Sequence, residues 1–257
     1  MRKPFSLEGR VALITGVGPD LGTGIALALA EAGAAVALAA RGKTVPDALA
    51  QMIAGDNGNA CALECDVTDP GQVQSSVAAV LATFGRLDIV VQVASSTGSH
   101  AQPLETIRLE EWDAQTQVTT RAAFNLARSC HAALRANGSG RMIFVTSAYG
   151  LSGDGGNPIY SACKGGLRGF VKSLAKEWGE DGITVNAIAP SSTSANTEAY
   201  FLSNPDAWDV FRKAIPMRRM GDPRTDIGPA VAAMASDAFR FVSGQTIPID
   251  GGLYTSL

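Results

Sequence analysis

The chain has 257 residues, 46 % apolar and 18 % charged, with a net charge of −3 and a mean hydropathy of +0.11. That length suits one α/β domain with a sizeable core. The balance excludes a disordered chain and a basic nucleic-acid or lipid binder, and the apolar runs are too short or too broken by Gly and charge to span a bilayer.

Apolar runs alternate with helical patterns along the chain. Strands are expected at 11–15, 35–40, 61–65, 87–93, 141–146, 183–188 and 245–249. Helices are expected at 21–32, 47–54, 73–84, 109–136 and 157–178. Asn157-Pro158 reads as an N-cap followed by Pro at the first helical position, and Asn137-Gly138 as a helix end. Strand and helix alternating this regularly imply a parallel sheet with right-handed crossovers. The predicted fold is a single-domain Rossmann fold, a doubly wound seven-stranded sheet with helices on both faces. The polar segment 191–224 interrupts the alternation after a strand's carboxyl end, where open α/β sheets bind ligands. It is expected to cover the substrate with short helices.

Residues 1–10 hold no apolar h-region, so no secretory signal is expected and the cytoplasm is the expected compartment. The four cysteines, Cys61, Cys65, Cys130 and Cys163, read as small buried residues in a reducing compartment. Two histidines, His100 and His131, and scattered carboxylates supply no metal ligand set. His100, in the loop after the fourth strand, is a candidate for the rim of a substrate site.

The first strand runs into Thr15-Gly16-Val17-Gly18-Pro19-Asp20-Leu21-Gly22-Thr23-Gly24, and a helix follows. Such a turn aims backbone N–H groups and a helix N-terminus at one point, which suits a pyrophosphate. Glycine serves where a side chain would block the approach or where φ is positive. Thr15, Gly16 and Gly22 resemble the Thr-Gly-x-x-x-Gly-x-Gly pattern of the short-chain dehydrogenase/reductase family. Asp20 stands where the family has its middle Gly. A carboxylate there repels a pyrophosphate unless it turns away or caps the helix.

A residue at the end of the second strand selects the nicotinamide cofactor. An acidic group binds the 2′-hydroxyl of NAD, and an Arg accepts the 2′-phosphate of NADP. Ala39-Ala40-Arg41-Gly42-Lys43 holds two cations and no carboxylate. NADP(H) is therefore favoured over NAD(H), with Arg41 as the phosphate ligand.

Ser147 follows the fifth strand, and Tyr160 and Lys164 stand four apart on one helix face. A phenol ordinarily titrates near pH 10, and a neighbouring ammonium lowers that value. The pair is then a proton donor and acceptor usable near neutrality. A Ser hydroxyl can hydrogen-bond the substrate oxygen as its charge changes.

Ser147, thirteen residues before Tyr160, matches the family's spacing. So do Asn186-Ala187-Ile188-Ala189-Pro190, Ser243-Gly244-Gln245 and Asp250-Gly251-Gly252. The chain is similar to the family over nearly its whole length, above all to 3-oxoacyl-ACP reductase-like members. The resemblance implies Tyr160 as acid or base, Lys164 also on the nicotinamide ribose, and Ser147 orienting the substrate. It places Leu21 with the glycine turn, Asp66 and Val67 at the adenine, Ala94 at the end of the fourth strand, and Pro190 and Thr193 beside the nicotinamide. Gln92-Val93-Ala94-Ser95 keeps only the Ala of the family's Asn-Asn-Ala-Gly. Thr119 stands where many relatives carry a relay Asn, which implies an altered proton relay; Asn125 is six residues on.

The implied activity is interconversion of a carbonyl and a secondary alcohol by an enzyme using NADP(H). The expected substrate is partly apolar, with Leu151, Tyr200, Phe201 and Trp208 near the pocket. A homo-oligomer, tetramer or dimer, is implied, and neither nucleic acid nor membrane is an expected partner. A catalytically weak cofactor-binding scaffold and an enoyl reductase are the alternatives.

Overall fold

The computed structural model describes residues 5–95 and 102–255. Its elements in chain order are β1 (Val11–Thr15), α1 (Leu21–Glu31), β2 (Ala35–Ala40), α2 (Thr44–Gly55), β3 (Ala60–Glu64), α3 (Pro70–Phe84) and β4 (Ile89–Gln92). Then come α4 (Leu109–Thr116), α5 (Ala122–Ala136), β5 (Arg141–Val145), α6 (Tyr149–Ser152), α7 (Pro158–Glu177) and β6 (Thr184–Pro190). Helices α8 (Ala195–Ser203), α9 (Pro205–Ala214) and α10 (Gly228–Ala235) precede β7 (Thr246–Ile249).

The strands form one seven-stranded sheet in the order β3-β2-β1-β4-β5-β6-β7, every pair parallel. Strand β1 is buried along its whole length. Its alternate residues feed two cores, Val11 and Leu13 on one face, Ala12 and Ile14 on the other. That two-sided burial is why the central strands are continuously apolar. Order reverses between β1 and β4, and their carboxyl ends open the crevice in which such sheets bind ligands.

Local chemistry sets several boundaries. Asp69 caps α3 by accepting the N–H groups of Gly71 and Gln72, Pro70 opens the helix, and Gly85, at φ 76°, ends it. Three expectations are corrected. The expected helix 109–136 is two α-helices joined by a π-helical turn at Gln117–Arg121, an insertion that leaves the hydrophobic period nearly intact. Helix α2 starts at Thr44 rather than at residue 47. Asn157 holds the N-cap position of α7 with no side-chain cap; its amide nitrogen donates to the Asp154 carboxylate. Segment 191–224 carries α8 and α9, as expected. No helix among the described residues is long and apolar enough to cross a membrane, and no described cluster could hold a metal ion.

Candidate active site

A cleft of about 770 Å³ lies over the carboxyl ends of β1, β2 and β4. It is lined by the 16–22 turn, Arg41, Asp66, Val67, Ala94 and Thr193. Gly16 has φ +81°, and a Cβ there would lie 2.3 Å from the Ala94 backbone nitrogen. The turn therefore packs directly on the end of β4, and only glycine permits it. A Cβ on Gly22 would lie 2.7 Å from the Gly16 carbonyl oxygen. Beside Gly18 there is open space. The turn thus offers bare backbone to the cleft, the cradle a dinucleotide pyrophosphate requires. The residues present fit that group.

Asp20 occupies the N-cap position of α1 without capping it. Its Oδ1 instead accepts the backbone N–H of Ala195, the first residue of α8, at 3.4 Å. The carboxylate has turned away from α1, one of the two escapes open to a charge at this position.

Arg41 is exposed at the cleft wall and has no ion-pair partner among the described residues. Lys43, in contrast, faces Asp47 at 3.9 Å within the first turn of α2. Only one of the two cations is therefore free for a ligand. Asp66 Oδ1 accepts both the N–H and the hydroxyl of Thr68, at 2.9 and 2.7 Å. Asn125 donates its amide to the carbonyls of Val67 and Thr68, at 3.2 and 3.3 Å. It fixes the Asp66-Val67 segment from beneath, a role that sequence spacing does not reveal.

A second chamber, about 420 Å³, adjoins the cleft through shared Leu21, Val93, Ser95 and Ser192. Ser147, Tyr160, Lys164 and Pro190 line it together. Lys164 is 2 % exposed; its Nζ donates to the Val145 carbonyl at 2.9 Å and lies 5.5 Å from the Tyr160 ring centroid. Burial lowers its pKa to about 8. Burial also raises the Tyr160 phenol above its ordinary value, partly offset by a hydrogen bond with Ser147. The spacing predicts a lowered phenol; the structure has the opposite direction, because desolvation by burial is the largest influence on the phenol. Tyr160 is thus a protonated phenol at neutral pH.

Helix α6, which begins two residues after Ser147, settles against α7 through a close approach. A Cβ on Gly150 would lie 2.6 Å from the Lys164 carbonyl carbon. Tyr149 also lines the chamber, edge-on to Tyr160 at 6.3 Å, with Phe211, Leu253 and Tyr254. Tyr149 stands two residues past Ser147, the only sequence signal that could have found it. The C-terminal residues come in because Asp250 accepts the N–H groups of Gly252 and Tyr254, at 2.9 and 3.0 Å.

Not every expected residue reaches the site. Thr119 is fully buried in the π turn and lines neither space. Its carbonyl accepts the Gln92 amide at 3.4 Å, while Thr119 Oγ1 and Gln92 Oε1 have no partner among the described residues. Leu151 and Tyr200 line neither space, whereas Phe201 and Trp208 line a third cavity. His131 is bound to Asp181 at 2.9 Å and stacked on Trp178, a structural role. His100 lies outside the described residues.

Fold, cleft and sequence together define an oxidoreductase: the chain belongs to the short-chain dehydrogenase/reductase family. Residues 16–254 match the family model described as enoyl-(acyl carrier protein) reductase. The chain is 34 % identical to the 12α-hydroxysteroid dehydrogenase of a Clostridium species, over 96 % of this chain and 97 % of that one. It is 34 % identical to the 3-oxoacyl-[acyl-carrier-protein] reductase of Escherichia coli, over 97 % and 99 %. Among solved structures it resembles a Beutenbergia cavernae chain described as an NAD(P)-dependent gluconate 5-dehydrogenase, with NADP bound at low occupancy. There the TM-score is 0.88 and the identity 34 %, covering 98 % of this chain and 99 % of that one. A Sinorhizobium meliloti chain described as a short-chain alcohol dehydrogenase superposes with TM-score 0.91 at 34 % identity, covering 99 % and 100 %.

Proposed function

We propose that this chain is an NADP(H)-dependent reductase of ketones, running to the secondary alcohol with Ser147, Tyr160 and Lys164 as its catalytic group. One observation carries the reading. Tyr160, Ser147 and the buried Lys164, whose Nζ lies 5.5 Å from the Tyr160 ring centroid, line one chamber that is continuous with the glycine-turn cleft.

A nicotinamide cofactor, when bound, supplies the hydride that the carbonyl carbon gains. Tyr160 donates its proton to the carbonyl oxygen, so the ketone becomes an alcohol and the phenol a phenolate. The Ser147 hydroxyl holds that oxygen as its charge grows. Lys164 stabilises the phenolate; with one of its three N–H groups on Val145, two remain for the phenol and a ribose hydroxyl. Gly16, Leu21 and Gly22 seat the pyrophosphate with Asp20 turned aside, Asp66 and Val67 the adenine, and Ala94, Pro190 and Thr193 the nicotinamide half. Arg41 pairs with the 2′-phosphate. The NADP-bound structural relative supports the cofactor, and the ketoreductase and dehydrogenase relatives support the reaction. The enoyl-reductase alternative is not favoured: the Tyr160-to-Lys164 spacing is that of ketone chemistry in the family.

Calorimetric titration with NADPH and NADH, followed by a ketone panel, tests the reading. Expected are tighter NADPH binding and ketone turnover abolished by Tyr160→Phe. Binding of neither cofactor, or turnover untouched by that substitution, would overturn it.

A further inference from the structure

Ser147 is preceded by Thr146, which is 2 % exposed and lines the reaction chamber. The Thr146 backbone N–H donates to the Ile188 carbonyl of β6 at 2.8 Å, so this residue is anchored to the sheet. Its hydroxyl donates to the backbone carbonyl of Lys164 at 2.9 Å. The ammonium of the same lysine donates to the Val145 carbonyl, also at 2.9 Å. Two adjacent residues at the end of β5 therefore hold Lys164 by its backbone and by its tip.

Glycine keeps the Lys164 carbonyl within reach. A Cβ on Gly150 would lie 2.8 Å from that oxygen and would crowd the acceptor. The carbonyl also closes the ordinary helical bond with the N–H of residue 168, and its second lone pair takes the hydroxyl. With its proton given to this carbonyl, the Thr146 hydroxyl has none to offer a substrate, which sets it apart from Ser147.

The two anchors control different groups. Tyr160 rides on the α7 backbone, four residues before Lys164, whereas the ammonium is tied to the sheet at Val145. A lysine side chain has several rotatable bonds, so the ammonium could keep Val145 while the helix moved beneath it. The phenol would then change its distance from the ammonium. The bond from Thr146 fixes the helix at Lys164 itself and removes that freedom.

Resting on the ketone-reductase reading, we infer that Thr146 is a positioning residue for the Tyr160–Lys164 pair. Its hydroxyl, acting through the Lys164 carbonyl, sets the height of α7 over β5 and with it the distance across which the ammonium acts on the phenol.

The test compares Thr146→Val with Thr146→Ser in the full chain. The Val variant removes the hydroxyl but leaves the Lys164 carbonyl its helical partner, so folding should hold; the Ser variant keeps the hydroxyl. Expected for Thr146→Val is a kcat for ketone reduction about ten- to a hundredfold lower, the scale on which small displacements at a reacting group act. The KM for the ketone and the Kd for NADPH should change little. The fall in rate at alkaline pH should move up from about 8 toward roughly 10.4, because a displaced helix admits water to the ammonium. Thr146→Ser should restore both rate and pH profile. Wild-type kcat in the Val variant would overturn the inference. So would a lower kcat with an unmoved pH profile, or a Ser variant as slow as the Val variant, since Thr146 would then only pack. NMR titration of the lysine side-chain nitrogens reads the same shift without turnover. If the wild type reduces no ketone, the reductase reading falls. A Lys164 midpoint that still rises in the Val variant and not in the Ser variant then keeps Thr146 as the residue that places this lysine, and an unmoved midpoint removes it. Should Thr146→Val not fold, Thr146→Ala takes its place with the same expectations.

Discussion

Asp20 and Ala195 meet across the mouth of the cofactor cleft: the carboxylate of one accepts the backbone N–H of the other at 3.4 Å. The contact ties the glycine turn to the first residue of α8 and explains how a carboxylate is tolerated beside a pyrophosphate cradle. Some charge repulsion must remain, because Asp20 still lines the cleft. Asp20→Asn keeps an acceptor for Ala195 and removes the charge. We expect it to tighten NADPH binding on the order of threefold, the weight of one carboxylate at a helix terminus. Calorimetry reads this directly; unchanged or weaker binding would show that the carboxylate does not oppose the cofactor.

Arg41 and Lys43 are both cations in one loop, but Lys43 faces Asp47 while Arg41 has no ion-pair partner among the described residues. Arg41→Ala is therefore expected to raise the Kd for NADPH by about tenfold to a hundredfold, the loss of one charge-assisted contact. NADH binding should stay as it was. Lys43→Ala should change either value little. Equal losses for both cofactors in the Arg41 variant would remove this residue from the 2′-phosphate.

Much of this arrangement is legible in the sequence, and the failures have physical causes. The strand carboxyl ends could be read because β1, β4 and β5 are covered on both faces and admit no polar interruption in their middles. Ser147, Tyr160 and Lys164 could be read because their spacing on α7 and after β5 is local. The π turn at Gln117–Arg121 was hidden because one inserted residue barely disturbs a 3.6-residue period. It turns Thr119 into the interior, where its hydroxyl meets no partner among the described residues. Asn125 was hidden because Val67 and Thr68, whose carbonyls its amide reaches, lie far away along the chain. The direction of the Tyr160 shift depends on how deeply α7 is buried, which spacing cannot supply.

The buried Lys164 dictates a pH dependence. Its ammonium stabilises the phenolate that forms when Tyr160 gives up its proton. The group is protonated below its folded pKa of about 8 and neutral above it. Ketone reduction should therefore hold level at neutral pH and fall as pH rises through that value, well below the roughly 10.4 of an ordinary lysine. Lys164→Met should lower kcat by about a hundredfold or more and remove the inflection. A wild-type kcat that stays level up to about pH 10, the ordinary lysine range, would dissociate Lys164 from the step.

Gly150 is where α6 settles onto α7. A side chain there would need to enter the backbone at Lys164 and Gly165, at 2.6 and 2.7 Å, and neither is a flexible end that can swing aside. Gly150→Ala must push α6 outward, taking Ser147 and Tyr149 with it. The distance between the Ser147 hydroxyl and the Tyr160 phenol would then grow, with Lys164 left in place. Overpacking of this kind costs about 1–3 kcal/mol, so a modest fall in Tm is expected. The larger effect should be on kcat, by about ten- to a hundredfold, since a shift near 1 Å at a reacting group can have that consequence. Cofactor affinity should change little, because the glycine-turn cleft lies on the other side of β4. Tm and calorimetry with NADPH separate these effects. A variant with normal kcat would mean that α6 can be displaced without disturbing the reacting group, and that its seat on α7 is structural only.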